Sequence, residues 1–380
     1  MESHLEIAVE VLESLQAIAP DEWNALTDGN PFVGHQFLHG LHTSGCASPR
    51  TGWAPRYLVI RRQGRVAGAM LLYAKSHSRG EYVFDHAWAN AYHHHGMPYY
   101  PKLVSAVPFS AVTGPRLLAA NDADKAILVQ AALQVAQQMG VSSLHVLFPS
   151  ASDVDVLRKA GLMLREGVQF HWINAGYATF DQFLAALTRE KRKKIRQDHR
   201  RVADAGVTFR RVAGDAITRA DLDFFYACYA LTYENHGSSP YLTKAFFAQI
   251  QASMGQNLLL ILAEQDGQPI AAALNFVGPG AMYGRYWGTT TFVSGLHFEL
   301  CYMQAIAYCI ETSIAVFEGG AQGEHKLSRG LQATPTWSAH WVADRRFEHA
   351  IKEFLGQETA QMDDYIDELA ERAPFKRVAE

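Results

Sequence analysis

The feature that most constrains the fold is a doubled order of predicted secondary-structure elements. Hydrophobic periodicity predicts the order β-α-α-β-β-β-α-β-α-β over the first half of the 380-residue chain, and the second half repeats much of it. In each half a similar strand follows a tight turn, GRVAGAMLLY at 64–73 and GQPIAAALNF at 267–276. The sequence therefore predicts an α/β (α+β) protein with two domains of like architecture, each a mixed, mostly antiparallel sheet flanked by helices.

The pattern places the domain boundaries at a basic stretch in the middle of the chain. We expect an N-terminal domain at 1–176, a basic helical connector at 177–206, and a C-terminal domain with a C-terminal helix at 207–380. Predicted strands are 5–13, 56–62, 65–74, 81–86, 143–148, 163–173, 207–213, 257–264, 269–276, 281–288 and 314–318, and a long aromatic loop runs to about 110. Predicted helices are 20–28, 31–44, 124–139, 150–160, 178–203, 220–235, 243–254, 296–312 and 345–371.

Composition narrows the class of protein. Apolar residues make up 48% of the chain, which is enough for two hydrophobic cores, and the net charge of −4 excludes a globally basic nucleic-acid coat. The cysteines Cys46, Cys228, Cys301 and Cys309 are scattered without a CxxC pair, which is typical of a reduced compartment. The first residues do not resemble a signal peptide, and the longest apolar stretch, at 258–263, is too short to span a bilayer. We therefore expect a soluble, cytoplasmic protein without a transmembrane segment, although peripheral membrane contact stays open.

A glycine-rich motif, EGGAQGEHKLSRG at 318–330, carries the densest chemistry. Gly319 and Gly320 follow a predicted strand and allow close backbone approach to a donor ligand. Transfer of an acyl group to an amine needs a base, for which Glu324 and His325 are candidates. The cations Lys326 and Arg329 are candidates for holding a carboxylate or phosphate of the substrate. The alternative is a solvated loop with an incidental EHK sequence.

A third catalytic candidate lies on the predicted strand 281–288. Alternation places Tyr283, Arg285 and Trp287 on one face and Gly284 and Tyr286 on the other. Tyr286 and Tyr283 are both candidate proton donors to a leaving group, and packing in the core is an equally simple interpretation.

A second cluster of polar residues lies between 75 and 116. If 81–86 is a strand, Glu81 and Asp85 share one face, as expected at a strand end that opens into a cleft. The substrate-binding candidates here are Lys75, Glu81, Asp85, His86, Tyr100, Lys102 and Arg116, with Lys102 and Arg116 as anion anchors. An exposed edge strand and an ordinary packed loop are the alternatives. The three consecutive histidines at 93–95 cannot easily face one ion, so no metal site is predicted.

The predicted connector helix carries a basic face. Arg189, Lys193, Arg196 and Arg200 follow each other at helical spacing, and Arg192 flanks them. Arg192, Lys193 and Arg196 are candidates for binding a phosphate-rich donor, against the alternative of a solvated charged face. Aromatic residues are not interleaved here, which argues against base stacking.

Four segments resemble one family. GAMLLYAKSHSRGEYVFDHAWANAY (68–92), YYPKLVSAVPFSAVTGPRLL (99–118), TREKRKKIRQDHRR (188–201) and FEGGAQGEHKLSRG (317–330) look like the FemAB-like N-acyltransferases of the GNAT superfamily. The resemblance implies tandem GNAT-like acyltransferase domains with a cleft between them. FemAB-type enzymes transfer an aminoacyl group from a charged tRNA to the amine of a peptidoglycan precursor, whereas most GNAT enzymes use acyl-CoA.

One departure from the wider superfamily bears on the donor. GNAT enzymes bind the pyrophosphate of CoA on an Arg/Gln-x-x-Gly-x-Gly/Ala turn, but TTTFVSGLHFELC at 289–301 carries only Gly295. The resemblance therefore implies an N-acyltransferase whose co-substrate is aminoacyl-tRNA or acyl-CoA, and whose acceptor is a small-molecule or peptide amine. A non-catalytic GNAT-like module that binds RNA or an anionic ligand is the alternative from another class.

Overall fold

The computed structural model describes residues 7–320 and 323–376, which form two compact units. The first unit combines Met1–Gly167 with Pro335–Asp364, and the second combines Val168–Thr334 with Tyr365–Glu380. These units do not follow the expected boundaries, because the segment Pro335–Asp364 packs with the N-terminal half. The order of the sequence could not reveal that this segment belongs to the first unit, because strand pairing and helix packing determine where it lies.

The secondary structure contains most of the predicted elements, and adds β2, β6, β7, β15 and α3, which were not predicted. The helices are α1 Pro20–Asn24, α2 His35–Thr43, α3 His86–His94, α4 Asp122–Gln138, α5 Ala151–Lys159, α6 Phe180–Ala186, α7 Arg189–Asp204, α8 Arg219–Asn235, α9 Lys244–Met254, α10 Leu296–Phe298, α11 Gln304–Glu311 and α12 Arg345–Glu371. The strands are β1 Ile7–Leu12, β2 Trp53–Pro55, β3 Tyr57–Arg62, β4 Arg65–Met70, β5 Tyr73–Lys75, β6 Lys102–Ser105, β7 Leu117–Ala119, β8 Ser143–Leu147, β9 Met163–Ile173, β10 Val207–Ala213, β11 Leu258–Gln265, β12 Gln268–Gly278, β13 Ala281–Thr289, β14 Val316–Glu318 and β15 Gln332–Val342. A π-helical turn, Glu299–Met303, joins α10 to α11, and a 3₁₀ helix spans Glu324–Arg329.

The first unit packs its strands against α4 and α5. Strands β1, β3, β4 and β7 form an antiparallel sheet in that order. Strands β15, β8, β6, β5 and β2 are hydrogen-bonded neighbours, in that order, in a second sheet. Helix α4 starts where the Asn121 side chain accepts a hydrogen bond from the Asp124 amide, and its apolar side packs on β3, β4 and β8. This core fixes the ends of β5, β6 and β8, which carry the polar residues of this unit.

The second unit is built on the strand order β10-β11-β12-β13-β14-β9. Its first four strands are antiparallel, whereas β13 and β14 run parallel. The strands β11 and β12 are almost wholly apolar and form the centre of a core that also includes Trp172, Phe317 and the apolar side of α11. These tightly packed central strands hold β13 and β14 in place.

The predicted strand 81–86 is wrong. The segment is irregular, Tyr82 has a φ of +62°, and α3 begins at His86. Glu81 and Asp85 turn inward toward Lys102, and these ion pairs replace the ladder of a strand. The expected aromatic loop likewise contains α3 and β6, so His93 and His94 lie on an exposed helix end.

The predicted helices 178–203 and 296–312 are each interrupted. The first divides into α6 and α7 at Leu187, and the second contains the π-helical turn. None of the helices among residues 7–320 and 323–376 is long and apolar enough to cross a membrane.

Candidate functional site

The candidate active site lies in the second unit, where β13 and β14 diverge. The two strands pair only over Ala281–Tyr283 and Val316–Glu318. Beyond this point β13 continues to Thr289, while the chain after β14 turns away through Gly319 and Gly320. Because the ladder ends while both chains continue, a gap opens between them.

A β-bulge in β13 widens this gap. Leu274 pairs with Tyr286 and the next residue, Asn275, pairs with Gly284, so Arg285 is an extra residue on β13. Gly284 and Tyr286 therefore lie on opposite faces of the sheet, and not on one face as alternation predicts.

The bulge corrects the interpretation of Tyr286. Its ring packs against Tyr229, Phe247 and Phe276 on the side of α8 and α9. Asn275, by contrast, faces the other side of the sheet, as Gly284 does. The ring of Tyr286 therefore packs in the core, although the residue also lines the cavity described next, and the sequence could not reveal this packing because a bulge leaves no periodic signal.

A cavity of about 70 Å³ occupies the gap. Its walls are Ala273, Leu274, Asn275, Gly284, Arg285, Tyr286, Trp287, His297, Cys301, Tyr302, Phe317 and Gly319. The π-helical turn places Cys301 and Tyr302 on the wall. π-Turns within helices often mark functional sites.

A buried cluster of charges adjoins the cavity through Arg285, which is a wall residue, while Lys326 binds Gly320, the residue after the wall residue Gly319. Arg285 donates a hydrogen bond of 2.9 Å to Glu318, and both side chains are less than a tenth exposed. Lys326 is 3% exposed and its Nζ donates to the carbonyl oxygen of Gly320 at 2.8 Å. No carboxylate of the described residues forms an ion pair with Lys326, so the cluster carries an excess positive charge. Burial and the neighbouring Arg285 lower the pKa of Lys326 to about 8.

Two histidines beside the cluster are held neutral. Burial, followed by the charges of Arg285 and Lys326, lowers the pKa of His171 to about 4. Burial, followed by His325 and Lys326, lowers the pKa of His297 to about 4. At neutral pH the positive charge therefore belongs to Lys326 and Arg285.

The two predicted bases differ in their surroundings. Glu324 accepts a hydrogen bond from Tyr365 at 2.7 Å and lies 2.9 Å from Arg372, and these contacts lower its pKa. The ring of His325 lies 5.6 Å from that of Phe298. Partial burial, followed by Lys326 and Arg329, lowers the pKa of His325. His325 is thus neutral at pH 7 and able to accept a proton, whereas Glu324 is a weakened base.

Arg329, predicted to bind substrate, is a structural residue. It is 3% exposed, donates to Asp198 of α7 at 2.6 Å, and stacks 4.0 Å from the ring centre of Phe298. This contact joins the 3₁₀ helix to the buried side of α7.

The opposite side of α7 is the predicted basic face. Arg189, Lys193, Arg196 and Arg200 are all exposed, and Lys193 lines an open groove of about 520 Å³. Arg192 is half-buried and reaches the Ala185 carbonyl oxygen, and Arg196 lies 3.9 Å from Asp181. The groove also contains Phe298, Ser328 and Arg329, so an aromatic residue does border the basic surface after all.

The polar residues of the first unit form a second, closed cluster. Lys102 binds Glu81 at 2.7 Å and Asp85 at a shorter contact, and Lys75 lies 3.8 Å from Glu81. All four side chains are at most 4% exposed, and two cations balance two carboxylates. Tyr100 joins through Ser78, which also accepts from Lys102.

The surroundings shift the pKa values of this cluster in opposite directions. Burial raises the pKa of Glu81 to about 7 and lowers the pKa of Lys75 to about 7. Burial also tends to raise the pKa of Asp85, but Lys102 and His145 outweigh it and hold that pKa below its ordinary value.

Hydrogen bonds extend the cluster deep into the first unit. Tyr99 donates to Asp85 at 2.6 Å, His145 lies 3.2 Å from the Tyr99 hydroxyl, and the Nδ1 atoms of His145 and His340 are 2.7 Å apart. Burial, followed by Lys102, lowers the pKa of His145 to about 3, and burial lowers that of His340 strongly. The structure thus brings Lys75, Glu81, Asp85, Tyr100 and Lys102 together, as grouped by sequence, but encloses them.

Two further predicted substrate residues do not join this cluster. Arg116 is fully buried, and it cannot serve as an anion anchor because its guanidinium donates to main-chain carbonyls. Those carbonyls belong to Val112, Gly114, Pro115 and Leu147. His86 is exposed and stacks on Phe84.

Sequence reasoning missed several residues of both clusters. His145, His171 and His340 each lie between two apolar residues of a strand, and a histidine flanked in this way is the signal that could have identified them. Asn275 is a similar polar residue within β12. Nothing in the sequence marks His297, which lies in the short helix α10, as a wall of the cavity.

Comparisons with known proteins agree with this architecture. The family model FemAB_like, described as peptidoglycan biosynthesis/recognition, matches residues 14–377. No curated protein matches the sequence. The crystal structure of FemX aligns with a TM-score of 0.56 at 12% identity, covering 88% of this chain and 98% of FemX. L-PGS from Bacillus licheniformis aligns with a TM-score of 0.56 at 11% identity, covering 90% of this chain and 96% of L-PGS. At these identities the likeness shows the fold, and the predicted tandem GNAT-like fold is confirmed.

Proposed function

The chain belongs to the FemAB-like family of acyl- and aminoacyltransferases, and we propose that it transfers an aminoacyl group from an activated ester to the amine of a peptide or small molecule. The reaction takes place at the gap between β13 and β14. FemX and L-PGS have the same fold, which fits the proposal without naming the substrate.

The observation that carries the proposal is the unbalanced buried cation Lys326 beside the cavity. Attack on an ester carbonyl develops negative charge on its oxygen, and a buried, preorganised cation stabilises that charge. Lys326 has no carboxylate partner among the described residues, so its charge is available to the reaction.

The step balances with residues of this unit. The nitrogen of the neutral acceptor amine attacks the ester carbonyl carbon, and His325 takes one proton from that nitrogen as the bond forms. The new C–N bond forms, the C–O bond to the donor breaks, and the proton returns to the leaving alkoxide. Lys326 stabilises the intermediate oxyanion, and no covalent enzyme intermediate is needed.

Two features favour a phosphate-rich ester donor over acyl-CoA. The turn at Gly295 is covered by α7, since the main chain of Asp198 lies 3.4 Å from where a Gly295 Cβ would stand. This leaves little space for a pyrophosphate there. The basic groove on α7 instead offers Lys191, Lys193 and Lys194 to phosphates.

A donor comparison tests the proposal. The purified protein is incubated with a peptide amine and, separately, with total charged tRNA or acetyl-CoA, and amide formation is followed by mass spectrometry. We expect product from charged tRNA, with a rate that falls as salt rises, and a smaller salt dependence in the triple variant Arg192→Gln, Lys193→Gln, Arg196→Gln. Product from acetyl-CoA alone would overturn the proposed donor.

Variants of Lys326 test the proposed site. We expect Lys326→Met to lower the rate by about 10²- to 10³-fold, the typical effect of removing an oxyanion donor. Wild-type activity should fall as pH rises through about 8, where Lys326 loses its proton. Lys326→Arg should retain more activity and lose this alkaline limb, because arginine stays protonated. Full activity in Lys326→Met would contradict the role of Lys326 in stabilising the oxyanion. Full activity in His325→Ala would contradict the role of His325 as the base.

A further inference from the structure

The edge strand β1 of the first unit carries an apolar stripe. Ile7, Val9 and Val11 alternate along the strand and therefore share one face, and they are 44%, 41% and 45% exposed. The register places Val9 opposite Ile60 and Val11 opposite Leu58, and both of these β3 side chains are fully buried in the core that α4 covers. The apolar surface of the sheet thus continues from this core onto β1, where its side chains are exposed.

The same strand has an open edge. It is the terminal strand of its sheet, and β3 is its one strand neighbour among the described residues. Such an edge presents N–H and C=O groups that pair readily with another strand, and proteins usually protect it with lysine, proline or a bulge. The sequence IAVEVL has no lysine or proline, and its register is regular. Its one charge, Glu10, accepts a hydrogen bond of 3.0 Å from Arg61.

The outer face of α4, the helix that packs on β3, is also without charge. The charged residues of this helix are Asp122, Asp124 and Lys125, all within its first four positions. Beyond them its exposed side chains are Ala126, Gln130, Gln134, Gln137 and Gln138. By contrast, α12 exposes Lys352 and Glu353 to solvent. Depletion of charged side chains is a mark of the centre of a protein–protein interface.

The chemistry of this surface selects one kind of partner. A nucleic acid or an anionic membrane is bound through cations, and neither the stripe nor the outer face of α4 beyond Lys125 has any. A second copy of the chain requires a surface that fits itself, because a two-fold axis brings the same patch of both subunits together. An uncharged surface meets this requirement, since like charges placed opposite each other are destabilising.

We propose that β1 pairs antiparallel with β1 of a second copy of this chain, across a two-fold axis that passes between the two Val9 residues. In this register Ile7 lies opposite the partner's Val11, and Ala8 lies opposite the partner's Glu10. The two apolar stripes then form one continuous surface, and the two Glu10 carboxylates do not face each other. The pairing joins the two four-stranded sheets and satisfies the open edges of both.

Paired charges border the two ends of this interface. At one end Ile7 pairs in register with Arg62, which forms an ion pair with Asp124. Beyond the other end Arg56 lies 3.0 Å from Glu13. An apolar centre with a polar rim is the usual anatomy of an interface, and each of these cations already has its carboxylate. The inference concerns assembly and does not depend on the proposed transfer reaction.

Analytical ultracentrifugation of the full chain, over a range of protein concentrations, tests the dimer. We expect the wild type to dimerise, and Val9→Lys to raise the dissociation constant at least about 10-fold, because two ammonium groups then meet at the axis. Val9 is partly exposed, so the variant should keep its fold, which circular dichroism checks. Phe354→Lys is the matched control, since Phe354 is a 43% exposed apolar side chain on α12, and it should leave the dissociation constant unchanged.

Disulfide cross-linking tests the register. Val9→Cys places two thiols at directly opposed positions, where the Cα atoms of an antiparallel pair are within disulfide range. Ala8→Cys is the control, because its two thiols are offset by two residues along the strands and lie beyond that range. We expect mild oxidation to convert Val9→Cys to a covalent dimer, with at least about 10-fold less from Ala8→Cys and from the wild type.

Three results would overturn the proposal. The first is a wild-type chain that stays monomeric at every concentration, and the second is a dimer that Val9→Lys does not weaken or that Ala8→Cys cross-links as well as Val9→Cys. The third is a monomeric wild type that binds vesicles of phosphatidylcholine and loses this binding in Val9→Lys, which would assign the stripe to a lipid surface.

Discussion

Each unit of this protein buries a cluster of charged side chains, but the two clusters differ in balance. In the first unit Lys75 and Lys102 are matched by Glu81 and Asp85. In the second unit Arg285 is matched by Glu318, while Lys326 donates to a main-chain oxygen and pairs with no carboxylate among residues 7–320 and 323–376. A balanced, closed cluster holds its own chain segments together, whereas an unbalanced one beside a cavity is ready to stabilise a negative charge.

The difference shows why charge alone is a poor guide to a site. The sequence presents both clusters as groups of acids and bases near glycines and aromatics, and both were candidates for substrate binding. Burial of two carboxylates against two lysines leaves the first with no charge to offer. Removing a single charge from each cluster distinguishes a role in stabilising the fold from a role in the reaction.

The largest effect is expected from Lys102→Met in the balanced cluster. This change leaves Glu81 and Asp85 without their shared cation, and breaking a buried ion pair typically lowers the free energy of unfolding by about 3–5 kcal/mol. Urea denaturation measures it. Lys159→Met, at an exposed position, is the control and should change the free energy by less than about 0.5 kcal/mol. A loss of under about 1 kcal/mol for Lys102→Met would show that the cluster does not stabilise the first unit.

The next effect is a pH dependence of stability that arises in the first unit. His145 and His340 have pKa values below the ordinary 6.5, so the unfolded chain binds more protons than the native one as pH falls. Both contributions are complete above about pH 6.5; that of His145 is lost toward about pH 3 and that of His340 is lost as pH falls below 6.5, at up to about 1.4 kcal/mol per pH unit for each histidine. Unfolding free energies at pH 7, 6 and 5 check it.

The histidine pair offers a matched control. His340→Gln should make the acid loss of stability shallower, whereas His86→Gln, at an exposed histidine, should leave the slope unchanged. Identical slopes in the wild type and His340→Gln would rule out this pair as the source.

A smaller effect on stability is expected from Lys326→Met in the unbalanced cluster. Methionine keeps the apolar stem and removes a buried cation that has no carboxylate partner, so we expect a change within about 1 kcal/mol. Denaturation of this variant alongside Lys102→Met gives the direct contrast. If Lys326→Met lowered the free energy of unfolding as much as Lys102→Met does, Lys326 would be a structural residue. Any activity lost in Lys326→Met would then result from misfolding.

The smallest effect is expected from His86→Ala. This histidine was a substrate-binding candidate, but it is exposed and lies against Phe84 outside the enclosed cluster. Stability should change by less than about 0.5 kcal/mol, and transfer should stay at the wild-type rate. A marked loss of transfer activity in His86→Ala would show that His86 contributes to substrate binding.

The sequence by itself determined most of the helices and central strands, the family and much of the grouping of site residues. Hydrophobic periodicity located β10, α8, α9 and β13 within about a residue, because such elements bury one regular face. It also placed Lys75, Glu81, Asp85 and Lys102 in one region and Lys326 in another.

Only the tertiary structure decided what these residues do. The bulge at Arg285 turns Tyr286 into the core and Asn275 toward the cavity, and a bulge has no signature in periodicity. Ion pairs turn 81–86 from a predicted strand into a buried irregular segment, since the gain depends on Lys102, a residue distant in sequence. Whether a charge is balanced or free is a property of three-dimensional neighbours, and it separates the closed cluster of the first unit from the candidate active site of the second.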